Sequence, residues 1–119
     1  MSKRVVVLGA SADRAKFSNK ALRGFVQRGE TVIPINPKGG AIEGLPVTAD
    51  LSEVTGPVDI LTVYLPAPVT LKLVDKIAAL KPAQLFLNPG AESPELVAAL
   101  EAKKLNVIQA CTLVTFGLE

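Results

Sequence analysis

The chain of 119 residues is predicted to fold as a single α/β domain built on an open, mostly parallel five-stranded sheet. Three observations lead there. Apolar β-rich runs recur at Val5–Leu8, Thr31–Ile35, Ile60–Leu65, Gln84–Leu87 and Val107–Ala110. They are nearly continuous rather than alternating, as in strands covered on both faces. Amphipathic segments separate them, joined by short polar links such as QRGE and NPGAES.

The first segment opens near Ser18, with Phe17, Ala21, Leu22, Phe25 and Val26 on one face and Lys20, Arg23 and Arg28 on the other. Pro68–Leu80 reads as one helix with Val69, Leu73, Ile77 and Leu80 inward. Pro94–Lys103 has Ser93 as N-cap, Pro94 in its first turn and Lys103–Lys104 at its cationic end. A shorter helix or turn is expected around Leu51–Val54. The expected strand order is 3-2-1-4-5 or a close relative, with ligands bound beyond the carboxyl ends of the strands at the switch point.

Composition narrows the function. A net charge of +2 offers no basic tract for nucleic acid, and 4% aromatic residues without tryptophan offer no stacking platform. A single cysteine rules out an internal disulfide framework and suits a reducing cytoplasm. In MSKRVVVLGA the apolar run is interrupted at once by Ser11, Asp13 and Arg14, so neither a signal peptide nor a membrane span is expected. The absence of histidine removes Ser-His-Asp chemistry, histidine metal sites and phosphohistidine relays together.

The loops at the strand ends carry the chemistry. Gly9 permits a tight turn beneath a phosphate, and Ala10 is small enough for close approach. Ser18 opens the first helix with free amides, while Arg14 and Lys16 add cations to the turn. In INPKGG, Asn36, Pro37 and Lys38 stand where a nicotinamide-dinucleotide site would carry an acid; lysine attracts a phosphorylated ribose, and a plain Pro-Gly turn with a solvated lysine is the competing reading. In YLPAP, Leu65, Pro66 and Pro68 form a stiff apolar wall, or simply a strand-to-helix connection. Asn88–Ser93 reads as a type II turn leading into a capped helix, with Glu92 as a dipole partner rather than a base. Cys111, among apolar neighbours, is expected to be a buried, inert thiol.

Together these stretches resemble the small stand-alone CoA-binding proteins, similar to the CoA-binding domain of the succinyl-CoA synthetase α subunit. The resemblance rests on GAS after the first strand, FSNKAL, VIPINPKG, GLPV at Gly44–Val47, VDILTVYLPAP, LNPGAES and the closing VIQAC. It implies a Rossmann-like three-layer domain that binds coenzyme A or an acyl-CoA, a small-molecule nucleotide ligand, without catalytic residues or metal. It implies that Gly9, Ala10, Ser11 and Ser18 line the diphosphate end, with Arg14, Lys16 and Lys38 as phosphate partners and Phe17 as a further cofactor contact. Asn36 and Pro37 would border the nucleotide, Leu65, Pro66 and Pro68 would flank adenine or pantetheine, and Asn88 and Gly90 would lie near the thiol. The synthetase's phosphorylated histidine has no counterpart here. The other reading is an NAD(P)-binding redox sensor or reductase-like protein, with Tyr64 as its one obvious proton donor. The apolar LVTF stretch, Leu113–Phe116, is a surface on which a second copy could pack to form a homodimer.

Overall fold

A computed structural model describes residues 2–118. Among these residues seven strands run as β1 (Arg4–Leu8), β2 (Thr31–Ile35), β3 (Ala41–Ile42), β4 (Leu45–Pro46), β5 (Ile60–Val63), β6 (Gln84–Leu87) and β7 (Val107–Gln109). The helices are α1 (Phe17–Gln27), α2 (Ala67–Leu71), α3 (Val74–Leu80), α4 (Pro94–Ala102) and α5 (Thr112–Thr115). Five parallel strands form one sheet in the order β2-β1-β5-β6-β7.

The alternation of side chains along β1 divides the core. Val5 and Val7 pack with Ala21, Leu22 and Phe25 of α1 and Leu113 of α5 on one face. Val6 and Leu8 pack with Val74, Ile77, Leu96 and Leu100 of α3 and α4 on the other. The result is a Rossmann-like α/β/α sandwich. Among the described residues no helix is long and apolar enough to cross a membrane.

Three expectations are corrected. Counting only the main sheet, the strand order is 2-1-3-4-5 and not 3-2-1-4-5. The outer edge of β2 is already occupied. Thr48 bridges Ile35 in parallel, donating to the Pro34 carbonyl at 2.9 Å and accepting from the Asn36 amide at 3.0 Å. A chain returning at Ile60 therefore pairs with the free edge of β1. Before it does so, the small antiparallel β3–β4 hairpin and a 3-10 turn at Leu51–Glu53 fill the connection where a helix would otherwise cross.

Second, Pro68–Leu80 is two helices. The break at Lys72 and Leu73 rotates α3 relative to α2, so Ala67, Thr70, Val74 and Ile77 are buried while Val69 is exposed. Third, the apolar face of α1 is narrower than its sequence suggests. Ser18, Asn19, Ala21, Leu22 and Phe25 face inward, whereas Phe17 is 62% exposed and Val26 44%. Half of the LVTF stretch belongs to the chain's own core: Leu113 is buried, and the Phe116 ring meets Phe25 and Phe86 edge-on at 5.3 Å each. Val114 alone of its large apolar side chains is exposed, at 64%.

Candidate nucleotide-binding site

The carboxyl ends of β2, β1 and β5 frame a cleft of about 610 Å³. Gly9, Ala10, Ser11, Lys16, Phe17, Ser18, Asn36, Pro37 and Leu65, all read from the sequence as site residues, line it together with Ala15, Tyr64 and Pro89. Gly9 turns the chain at φ +89°, a conformation costly for a side chain. A Cβ there would also stand 3.0 Å from Leu65 Cδ2 and 3.3 Å from the Leu65 amide nitrogen, so only glycine lets β1 and β5 approach this closely at the rim.

Polar side chains brace the loop between Gly9 and Lys16 from two sides. From α1, the buried Asn19 donates through Nδ2 to the Ser11 carbonyl at 2.9 Å. Its Oδ1 accepts from Arg23 Nε at 2.7 Å, and Arg23 in turn donates to the Arg14 carbonyl at 3.0 Å. From β2, Asn36 Nδ2 donates to the Ala10 carbonyl at 2.9 Å while Oδ1 accepts from the Lys38 amide at 2.8 Å. The amides of Gly9 and Ala10 both donate to the Ile35 carbonyl, at 3.3 and 3.0 Å. Donors for an anion therefore come from elsewhere. The first turn of α1 supplies them: Lys16 is its N-cap, no side chain caps it, and no acid stands in that turn. Lys16, Phe17 and Ser18 line the cleft, so this helix start opens on it, and an uncapped helix start is the kind of terminus that favours an anion.

Beside this cleft, and sharing Gly9, Pro37 and Leu65 with it, lies an apolar cavity of about 250 Å³. Ile35, Leu51, Val69 and Leu73 complete its walls. Ala49, Asp50 and Leu51 enter here at the start of the 3-10 turn, Val69 from α2 and Leu73 through the break after it; neither the turn nor the break was legible as part of a site in the sequence.

The remaining residues read as ligand contacts are placed differently. Arg14 reaches Glu43 of the hairpin turn at 3.4 Å rather than the cleft. Lys38 lies in an adjoining depression with Ser11, Asp13 and Asn36. Pro66 N-caps α2 and Pro68 sits exposed in its first turn. The Gly90 amide donates to Glu92 Oε1 at 3.1 Å, and Gly90 at φ +91° completes the expected type II turn, closed by Ala91 donating to the Asn88 carbonyl at 2.8 Å.

Asn88 is withdrawn from the rim altogether. It is buried, donating to Thr62 Oγ1 at 2.8 Å and the Val63 carbonyl at 2.9 Å, and accepting from the Thr112 amide at 2.8 Å. Its side chain ties β5, β6 and α5, so the rim face of this turn is carried by Pro89 instead.

Tyr64 presents its ring to the cleft, but its hydroxyl is buried without a hydrogen-bond partner. Burial pushes that phenol above its ordinary range. A hydroxyl turned inward is not poised to deliver a proton at the rim. Cys111 is half-buried rather than buried, and it lines a groove between α1 and α5. Among the described residues no cluster of ligating side chains could hold a metal ion.

Fold and cleft together define a Rossmann-like α/β domain of the nucleotide-binding class, with an open cleft at the switch point between β1, β2 and β5, where ligands of such sheets bind. Comparison with known proteins specifies it further. Residues 3–117 match the CoA binding domain family, and the chain belongs to that family. A structure from Thermus thermophilus, cell-free ID.343, superposes with a TM-score of 0.88 at 30% identity, covering 99% of this chain and 91% of that one. The dinucleotide forming acetyl-coenzyme A synthetase 1 of Ca. Korarchaeum cryptofilum, in complex with phosphate and ADP, shares the fold with a TM-score of 0.76 at 23% identity. There the likeness covers 91% of this chain and 25% of that enzyme. Uncharacterized protein YneT of Bacillus subtilis is 32% identical over 63 residues, 53% of this chain and about half, 47%, of that protein.

Proposed function

We propose that this chain binds coenzyme A, or an acyl-CoA, at the rim cleft and serves as a non-catalytic carrier, sensor or partner of an acyl-CoA enzyme. The observation that carries the reading is the uncapped start of α1 opening into a cleft that also touches Gly9, Pro37 and Leu65. In this reading the pyrophosphate sits on the Phe17 and Ser18 amides with Lys16 beside it. The adenine enters the apolar cavity against Pro37, Leu65 and Val69. The ribose 3′-phosphate lies toward Lys38, whose depression joins the cleft at Ser11 and Asn36. Membership of the CoA binding domain family supports the ligand class, and the braced loop supports a seat formed before the ligand arrives.

Titration calorimetry with coenzyme A, 3′-dephospho-CoA and NADPH tests this. Coenzyme A is expected to bind tightest, with the dephospho form about tenfold weaker, the size of one partly exposed charge-assisted contact. Lys38→Ala should erase the difference between the two. Tighter binding of NADPH than of coenzyme A would overturn the assignment in favour of a redox protein.

A further inference from the structure

A second concavity, of about 680 Å³, runs along the outer side of α1 and meets the rim cleft at Phe17, which lines both. One wall is the α1 stripe Phe17, Lys20, Gly24 and Gln27; the other is Leu113 and Val114 of α5 followed by Leu118. This wall exists because α5 is only four residues long, so it leaves the flank of α1 uncovered. Gly24 sets the floor: a Cβ there would stand 2.9 Å from Leu118 Cβ, so the closing tail lies directly on the helix backbone. Phe17 and Val114, both more than half exposed, form apolar lips at the two sides.

We infer that this groove receives the acyl chain of a medium-chain acyl-CoA whose nucleotide occupies the rim, an inference that rests on the coenzyme A reading above. Three features carry it. The first is continuity, since Phe17 is shared by the two sites. The second is reach. From the end of β1, beside the proposed pyrophosphate seat, to the end of β7, after which Cys111 lines the groove, is three strand spacings, about 14 Å. The pantetheine arm has about twelve bonds between its phosphate oxygen and its sulfur, and an extended chain of that length spans about 15 Å. Its path crosses the Tyr64 ring and Pro89 in the rim cleft, leaving the thioester beside Cys111.

The third feature is the size and chemistry of the groove. Ten residues of helix separate Phe17 from Gln27, about 15 Å along the axis. An extended saturated chain of about twelve carbons covers that distance, so acyl groups of eight to about twelve carbons fit. The α5 side of the groove is apolar, while the α1 side also carries Lys20, Arg23 and Gln27. The Lys20 ammonium lies 5.4 Å from the Phe17 ring centroid and the Arg23 guanidinium is held by Asn19, so each cation has its own partner and can offer its aliphatic stem to a chain.

Calorimetry of the full chain with coenzyme A, acetyl-CoA, hexanoyl-CoA and decanoyl-CoA, below micelle-forming concentrations, tests the inference. A one-sided groove should tighten binding about twofold per added methylene, roughly half the effect of full burial on a logarithmic scale. Val114→Glu alters only an exposed side chain, so it should fold normally, flatten the chain-length series and leave coenzyme A affinity unchanged. Equal affinities across the series, with coenzyme A bound, would overturn the groove and leave the nucleotide site standing. Failure of coenzyme A itself would remove both. A dimer in sedimentation that Val114→Glu dissociates would instead make the groove a contact between copies and overturn the acyl assignment.

Discussion

Asn36 and Ala10 join the ends of β2 and β1 across the switch point: the side-chain amide of one donates to the backbone carbonyl of the other at 2.9 Å. The same side chain holds the Lys38 amide at 2.8 Å, so a single residue fixes the loop after β1 and orients the one after β2. Asn36→Ala removes both bonds. About 1 kcal/mol of stability should be lost, visible in the urea midpoint, because the site is partly exposed and water replaces part of the bonding. Coenzyme A affinity should fall further, about tenfold, since the loop must then be ordered at the moment of binding. Unchanged affinity in calorimetry would show that the loop is held well enough from the α1 side alone.

Gly9 is the complementary case, where backbone geometry rather than hydrogen bonding sets the rim. Gly9→Ala must hold φ +89° with a Cβ crowding Leu65, and the nearest immovable atom is the Leu65 amide nitrogen at 3.3 Å. A loss of about 2 kcal/mol is expected from the strained conformation, with further displacement of β5 at the cleft. Thermal unfolding reads the first effect. Loss of coenzyme A binding at temperatures where the variant is fully folded reads the second.

The five main strands are legible because parallel strands buried on both faces leave uninterrupted apolar runs, and the Ser93 cap is legible because capping is local: its hydroxyl accepts from the Leu96 amide at 3.1 Å. What escaped the sequence depends on contacts between distant segments. The two-residue strands of the β3–β4 hairpin are too short to show a period, and α5 is a single turn that reads as a continuation of the strand before it. Extending one helical phase through Lys72 and Leu73 put Val69 inside, and the break turns it out to line the apolar cavity. Gly9, Pro37 and Leu65 could be placed at the rim because strand ends locate them. That Asn19 and Asn36 brace the loop while Asn88 is buried could not be read, since the three differ only in what lies across from them.

Asn88 carries the heaviest consequence for folding. Its amide and carbonyl engage Thr62, Val63 and Thr112, and the two threonine hydroxyls meet each other at 2.8 Å, all inside the core. Asn88→Leu would strand the Thr112 amide, remove the side-chain bonds to Thr62 and the Val63 carbonyl, and force a branched side chain into a polar slot. A loss of about 3 kcal/mol is expected. Asn88→Asp should be nearly as damaging, because a carboxylate cannot donate to Thr62 or Val63 and its charge is desolvated. If either variant unfolds within about 0.5 kcal/mol of the parent in urea, the network is not a stabilising unit.

Asp50 makes stability depend on acid. Its carboxylate receives Lys76 Nζ at 2.8 and 2.9 Å and the Ser52 amide at 2.9 Å, joining the 3-10 turn to α3 behind the apolar cavity. The Lys76 hydrogen bond, followed by that of Ser52, holds its pKa at about 2, below the ordinary 3.8. A folded-state pKa below the unfolded one means the charged carboxylate favours the folded chain. The contribution is complete above about pH 4 and disappears as pH falls toward 2. Asp50→Asn keeps a cap acceptor but not the charge, so the gap in urea midpoint between parent and variant should be constant from pH 7 to 5 and narrow steadily below pH 4. Because both partners are substantially exposed, 0.5 M salt should narrow the gap at pH 7 as well. A gap as wide at pH 3 as at pH 7 would mean that Asp50 acts through shape alone.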